Sequence, residues 1–187
     1  VDGAARHSKR VFGIILGSGC GGGLVINKKI VSGANGLGGE WSLNQMPIRE
    51  IKSNIQHSAS FDFTQRIEGY LSGKSIEKNY ELLFQKKLNA KEIFSDYRNK
   101  KNNAVKFINN YKDHLARSLV IIVSTIDPDA IVFGGGVSNE IDFLSEIETI
   151  VRKFVTGREY EGVFLKPKYG DASGVRGAAR LGRKSIY

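Results

Sequence analysis

The chain has 187 residues, enough for one ordinary domain or two small lobes, and its 41% hydrophobic residues exclude a disordered chain. Its single cysteine excludes an internal disulfide and a cysteine-based zinc site, and without an apolar run of 18 residues or a leader we expect a cytoplasmic protein that does not enter the membrane. The net charge of +9 suits a phosphorylated ligand, but the basic residues are dispersed and the densest stretch, 86–112, resembles solvated helix faces, so we expect no nucleic-acid partner.

The first predicted element is a buried strand over residues 10–16, RVFGIIL. GSGCGGG follows at 17–23, and such a glycine cluster allows positive φ and lets backbone N–H groups approach an anion. The next residues, 23–33, predict a hairpin whose turn is Asn27-Lys28-Lys29. Because the glycine cluster opens into a hairpin and not into a helix, the pattern argues against a dinucleotide fingerprint and a Walker A loop.

The middle of the chain is predicted to be a loop followed by helices. Residues 32–47, SGANGLGGEWSLNQMP, form a glycine-rich loop that exposes its polar groups. A helix is expected from about Thr64, with Gly73 ending it. Apolar spacing near 3.6 then predicts three helices, over residues 75–87, 89–100 and 104–126, and Asp127-Pro128 ends the last one.

A second strand with a glycine loop lies at residues 130–139, AIVFGGGVSN, before a helix over about 142–155. A short strand and loop at 163–174 and a small-residue helix at 174–183 complete an α/β chain with a mixed sheet. Each glycine loop is either a tight turn required by packing or a place where a nucleoside or phosphate lies close to the backbone. The residues alone leave both readings open.

Three spaced motifs resemble the ROK family of repressors, open reading frames and sugar kinases. Residues 11–44 resemble the family pattern G-T-G-x-G-x-G-L with its glycine-rich loop ending in G-E-x-G-H. Residues 119–139 resemble the family's helix, D-P-D turn, strand and adenosine-site glycines. Residues 169–182, YGDASGVRGAARLG, resemble the terminal helix of the fructokinase branch. Within the family, the chain looks most like a bacterial fructokinase or mannokinase.

The resemblance implies the actin-like ATPase fold, in which two ribonuclease-H-like lobes surround a cleft. It implies ATP with Mg²⁺ as the phosphate donor. The residues expected to bind the nucleotide are those of a phosphate loop, Gly17, Ser18 and Gly19, and those of the adenosine site, Gly134, Gly135 and Gly136.

The same resemblance implies a hexose such as fructose as the phosphate acceptor. Glu40 and Glu68 match the family's two sugar-binding glutamates, and Asn35, in the glycine-rich loop 32–47, is expected to bind the sugar with them. A carboxylate can accept hydrogen bonds from two vicinal hydroxyls, which holds a sugar in one orientation.

The sugar and zinc loop, residues 40–73, departs from the family pattern. Leu43 replaces a histidine that contacts sugar and zinc, and the family's cysteine positions hold Ala59, Phe61 and Arg66. A closed zinc site needs about four N or S ligands, and neither His57 nor His114 can restore one. We therefore predict no zinc, and we expect Cys20 to be a small turn residue.

The family's D-x-G-x-T phosphate loop and its N-D segment, which carries the general base, are not found in these 187 residues. Asp62 and Asp171 do not replace them. We therefore expect residues 1–187 to be the C-terminal lobe of a ROK sugar kinase, without a catalytic residue and inactive unless an N-terminal lobe completes it. The chain would then be a truncated gene, half of a split enzyme or a relic.

Two other functions stay open. A non-catalytic sugar-binding or regulator-derived module shares these motifs, although no helix-turn-helix is visible, and a basic nucleic-acid binder would show salt-dependent binding. A homodimer is compatible with either. A lobe on its own should also expose apolar surface, for example around Val11 to Leu16.

Overall fold

The computed structural model describes residues 2–47, 65–155, 159–170 and Ser173. Its elements in chain order are strands β1 (Arg10–Leu16), β2 (Cys20–Ile26) and β3 (Lys29–Val31), a 3₁₀ turn (Trp41–Leu43), helices α1 (Glu68–Leu71), α2 (Gly73–Phe84), α3 (Ala90–Arg98) and α4 (Asn102–Ile126), strand β4 (Ala130–Gly134), helices α5 (Gly136–Glu140) and α6 (Leu144–Phe154), and strand β5 (Val163–Leu165).

The five strands form one mixed sheet in the order β3-β2-β1-β4-β5, which confirms the predicted α/β class. β1 is antiparallel to β2 and parallel to β4, and β4 is parallel to β5. The hairpin turn is shorter than predicted, because Lys29 already begins β3. Asn27 and Lys28 have φ angles of 49° and 65°, the left-handed conformation that a two-residue turn needs at both positions.

The helices follow the predicted apolar spacing, with one correction at Gly73. The Ser72 hydroxyl accepts the backbone N–H of Ser75, so Gly73 begins α2 and does not end a helix. α4 ends where expected, at Asp127 with φ 48°. The short helix α5 was not predicted, and the predicted helix at 174–183 lies outside the described residues. None of the helices in the described ranges is long and apolar enough to span a bilayer.

The sheet has one buried face and one face that stays partly open. Phe12, Ile14 and Leu16 point into the core that also contains the inward sides of α4 and α6. On the other face, Ile15 and Ile30 remain 53% and 58% exposed. The expected apolar surface around Val11 to Leu16 is therefore limited to alternate residues, because successive strand side chains point to opposite faces.

A buried lysine joins three of the helices. The Lys112 ammonium donates to the Glu146 carboxylate and to the Tyr97 hydroxyl, each at 2.7 Å, and lies 4.4 Å from the centre of the Phe143 ring. The basic stretch at 86–112 is thus not solvated throughout, since its last residue is 6% exposed. These contacts hold α3, α4 and α6 together behind the buried face of the sheet.

Adjacent isoleucines on β1 test this two-faced sheet. Ile14→Ala should lower the free energy of unfolding by about 2–5 kcal/mol, because it leaves a cavity in the core. Ile15→Ala should cost less than about 1 kcal/mol, because its side chain is half in solvent. Urea unfolding followed by circular dichroism measures both, and equal losses would contradict an open face at Ile15.

Candidate functional site

Both glycine loops begin at one edge of the sheet. β1 ends at Leu16 and β4 at Gly134, and the parallel pairing of Ile15 with Gly134 brings the two strand ends side by side. The crevice outside the carboxyl ends of parallel strands is where open α/β sheets bind ligands. The pairing thus places the predicted phosphate loop, residues 17–19, next to the predicted adenosine-site loop, residues 134–136.

Main-chain atoms make the closest contacts at this edge. Gly135 has φ 91°, and a side chain there would overlap the carbonyl oxygen of Leu16. The amide N–H of Gly73 donates to the carbonyl oxygen of Gly17 at 2.7 Å, and a Cβ on Gly73 would lie 3.0 Å from that oxygen. Glycine thereby lets the ends of β1 and β4 and the start of α2 meet at one point.

Glu68 projects from α1 towards the phosphate loop. Its Oε1 accepts the backbone N–H of Cys20 at 3.3 Å, and a Cβ on Gly19 would lie 3.0 Å from the same oxygen. The predicted sugar-binding carboxylate and the predicted phosphate loop are therefore in direct contact.

Glu40 is brought to the same region through its neighbours. The Trp41 indole N–H donates to the carbonyl oxygen of Gly21 at 3.0 Å, and the Ser42 hydroxyl donates to that of Cys20 at 2.7 Å. The start of β2 thus carries the loop of Glu40 and contacts Glu68. Asn35 lies in the exposed part of the loop, and no contact between described residues ties its side chain to this cluster.

Open space lies in front of both loops. Apart from its own neighbours along the chain, a Cβ placed on Gly17 or on Gly136 would meet no atom within 4 Å, and the Ser18 side chain next to Gly17 is exposed. Backbone N–H groups and a hydroxyl around open space suit a phosphate or nucleoside. The residues present therefore fit ATP at this edge, and Mg²⁺, which often binds through substrate phosphates and one or two carboxylates, would be held mainly by the phosphates.

Cys20 does not have the predicted position. It is the first residue of β2, paired with Leu16, and not a turn residue, because the strand begins within the glycine cluster. Burial, with a smaller effect of the Glu68 carboxylate, raises the pKa of the Cys20 thiol to about 12. The thiol stays protonated at neutral pH, which is unsuitable for a metal ligand or nucleophile.

The predicted absence of zinc stays a prediction. Within the described ranges, no group of three or more His, Cys, Asp or Glu side chains could hold a metal. Leu43 is exposed, and His114 packs edge-on against Tyr70 with the ring centres 4.9 Å apart. The positions His57, Ala59, Phe61, Asp62 and Asp171 lie outside the described residues.

Sequence reasoning missed two parts of the site. Ser72 caps α2 next to Gly73, which contacts Gly17, and a serine directly ahead of an apolar-periodic stretch is a helix-start signal that could have revealed it. The approach of Trp41 to Gly22, where a Cβ would lie 2.6 Å from the indole Cδ1, has no signal in the sequence.

Comparison with known proteins identifies the same family that the sequence motifs resemble. The model of the ROK family matches residues 1–185. The chain is 34% identical over 180 residues to the N-acetyl-D-glucosamine kinase of Yersinia enterocolitica, a match that covers 94% of this chain and 59% of that protein. It is 37% identical over 177 residues to the N-acetyl-D-glucosamine kinase of Mannheimia succiniciproducens, covering 91% and 58%. The chain thus spans about three fifths of the length of these curated relatives.

Solved structures show the same fold. The ROK hexokinase of Thermus thermophilus superimposes with a TM-score of 0.81 at 21% identity, over 98% of this chain and 61% of that one. The ROK glucokinase of Streptomyces griseus, in complex with glucose and AMPPNP, gives 0.78 at 24% identity, over 97% and 62%. These likenesses confirm the actin-like ATPase fold. The expected fructokinase or mannokinase branch finds no support in relatives that are N-acetyl-D-glucosamine kinases.

Neighbouring glycines test the close approach of the two loops. Gly135→Ala should lower the free energy of unfolding by about 1–3 kcal/mol, because the residue has positive φ and no room for a Cβ. Gly136→Ala should change it by less than about 1 kcal/mol, because its Cβ enters open space. Thermal unfolding of both variants is the measurement, and a Gly135→Ala protein as stable as the wild type would refute the contact with Leu16.

Proposed function

Because the chain belongs to the ROK family, we propose that it forms the carboxy-terminal lobe of an ATP-dependent sugar kinase and binds both substrates at the edge where β1 and β4 end. The observation that carries this proposal is the contact of Glu68 with Gly19 and Cys20. A carboxylate suited to sugar hydroxyls thereby lies against a loop suited to phosphate. Phosphoryl transfer requires that proximity of acceptor and donor.

For the nucleotide, the proposal assigns Gly17, Ser18 and Gly19 to the phosphates and the loop 134–136 to the adenosine. The exposed Ser18 hydroxyl would donate to phosphate oxygens together with loop N–H groups other than that of Gly17, which donates to the carbonyl oxygen of Gly19 at 2.9 Å. The close packing of Gly135 on Leu16 keeps the two loops side by side, so one extended ligand can contact both.

For the acceptor, the proposal favours an aminosugar over fructose. The relatives that are 34–37% identical are N-acetyl-D-glucosamine kinases, so N-acetylglucosamine is the first candidate and fructose the second. Glu68 and Glu40 would accept hydrogen bonds from the sugar hydroxyls, with Asn35 at the outer end of the loop.

The general base and the opposing phosphate loop would come from an amino-terminal lobe, either on the same polypeptide or on a separate one. These 187 residues hold neither motif, so we propose that they bind substrates but transfer no phosphate by themselves. The open face of the sheet, with Ile15 and Ile30 exposed, offers apolar surface to such a lobe. Use of ATP favours the cytoplasm, and a homodimer stays a prediction.

Two glutamates one helix apart test the sugar site. Glu68→Gln should weaken N-acetylglucosamine binding about tenfold to a hundredfold, because a charged acceptor of hydroxyl hydrogen bonds becomes neutral. Glu81→Gln, on the exposed side of α2, is the matched control and should bind like the wild type. Calorimetric titration gives both affinities, and unchanged binding by Glu68→Gln would remove Glu68 from the site.

Complementation tests whether an amino-terminal lobe supplies the general base and the phosphate loop that these residues lack. Alone, the chain should show no ATP-dependent phosphorylation of N-acetylglucosamine or fructose in a coupled assay. Activity should appear on adding the part of the Yersinia enterocolitica relative that this chain does not match, which we propose to be its amino-terminal lobe. Phosphorylation by the chain alone would contradict the proposal. Sugar binding without activity in the mixture would instead favour the second candidate, a non-catalytic sugar-binding module.

A further inference from the structure

An exposed loop between β3 and the 3₁₀ turn contains the only Asn-Gly dipeptide of the chain, Asn35-Gly36. Both residues are exposed, Asn35 lies in a turn, and Gly36 has φ 74°. The backbone N–H of Gly38 donates to the carbonyl oxygen of Ser32 at 2.8 Å, which closes residues 33–37 into a short loop, here called the Asn35 loop. An Asn-Gly pair suits such a turn, because both residue types tolerate the left-handed conformation.

The side chain of Asn35 and the backbone nitrogen of Gly36 are both free to react with each other. Among the described residues, no hydrogen bond engages the Asn35 amide or the Gly36 N–H. Apart from its chain neighbours, a Cβ on Gly36 would meet no atom within 4 Å, so nothing packs on that side of the loop. Asn44 is exposed too, but its amide donates to the carbonyl oxygen of Trp41 at 2.8 Å, and the residue after it, Gln45, carries a side chain.

We propose that Asn35 is a site of spontaneous deamidation, with water as the only co-reactant. The Gly36 backbone nitrogen attacks the Asn35 Cγ, and the new N–Cγ bond closes a succinimide ring. The Cγ–Nδ2 bond breaks, and Nδ2 leaves as ammonia with the proton that the Gly36 nitrogen gives up. Water then opens the ring at either carbonyl and leaves aspartate or isoaspartate, without oxidation or reduction. Glycine favours the attack because no Cβ hinders the approach of its nitrogen.

Either product changes the loop that precedes Glu40. Both add a negative charge, and isoaspartate lengthens the main chain by one methylene inside a loop whose ends are joined through Ser32 and Gly38. The backbone N–H of Glu40 donates to the carbonyl oxygen of Leu37 at 3.2 Å, so a displaced Asn35 loop also moves Glu40. Weaker sugar binding after deamidation rests on the proposed function, whereas the modification site does not.

The test is peptide mass spectrometry of the full chain after incubation for days at mildly alkaline pH. Asn35 should gain the mass difference between an amide and a carboxylic acid, and its peptide should separate into aspartate and isoaspartate forms. Asn27, which is exposed but followed by Lys28, and the hydrogen-bonded Asn44 are internal controls that should react at least about tenfold more slowly. Gly36→Ala should slow the reaction at Asn35 by a similar factor.

Deamidation at Asn35 that is no faster than at Asn44, or that Gly36→Ala leaves unchanged, would overturn the site.

A calorimetric titration with N-acetylglucosamine tests the effect on Glu40. Aged wild-type protein should bind about threefold to tenfold more weakly than fresh protein. Asn35→Gln keeps Gly36 but cannot form the five-membered ring, so its aged and fresh forms should bind alike. Equal affinities of aged and fresh wild type would refute the link to Glu40. Because mass spectrometry needs neither sugar nor ATP, a fresh chain that binds no sugar would count against the kinase proposal alone.

Discussion

Main-chain atoms in contact at the carboxyl edge of the sheet are the constraint on which the rest of the site depends. Gly135 packs on the carbonyl of Leu16, and Gly73 donates its N–H to the carbonyl of Gly17. A β-carbon at Gly135 would push β4 away from β1, and one at Gly73 would push α2 away from the phosphate loop. Since Glu68 precedes α2 by a few residues, its distance from that loop depends on the same contacts.

α1 connects three parts of the molecule although it is only four residues long. Its Glu68 side chain touches the phosphate loop, its carbonyls accept from Ser75 and Asn79 of α2, and Tyr70 lies against His114 of α4. So short a helix has little stability of its own, and these neighbours determine its position. The position of the Glu68 carboxylate therefore depends on the contacts of α1 with α2 and α4.

Most of the fold could be predicted from the sequence, because β1, β4 and the helices α2 to α4 have clear apolar periodicity and recognisable ends. The errors have physical causes. Gly73 was predicted to end a helix because glycine disfavours helices, but tight packing on Gly17 requires glycine there and Ser72 supplies the cap. Cys20 was placed in a turn because glycines surround it, whereas pairing with β1 extends the strand through them.

By itself, the sequence determined the family, the strand–glycine-loop units and the residues proposed for a nucleotide and a sugar, because these depend on local pattern and spacing. Only the tertiary structure decided which of those residues meet. Among the described residues, it joined Glu68 to the predicted phosphate loop, held the loop of Glu40 against β2, and brought Asn35 into contact with neither. Such contacts join residues far apart in the chain, and their geometry follows from strand pairing and helix packing, which no local pattern encodes.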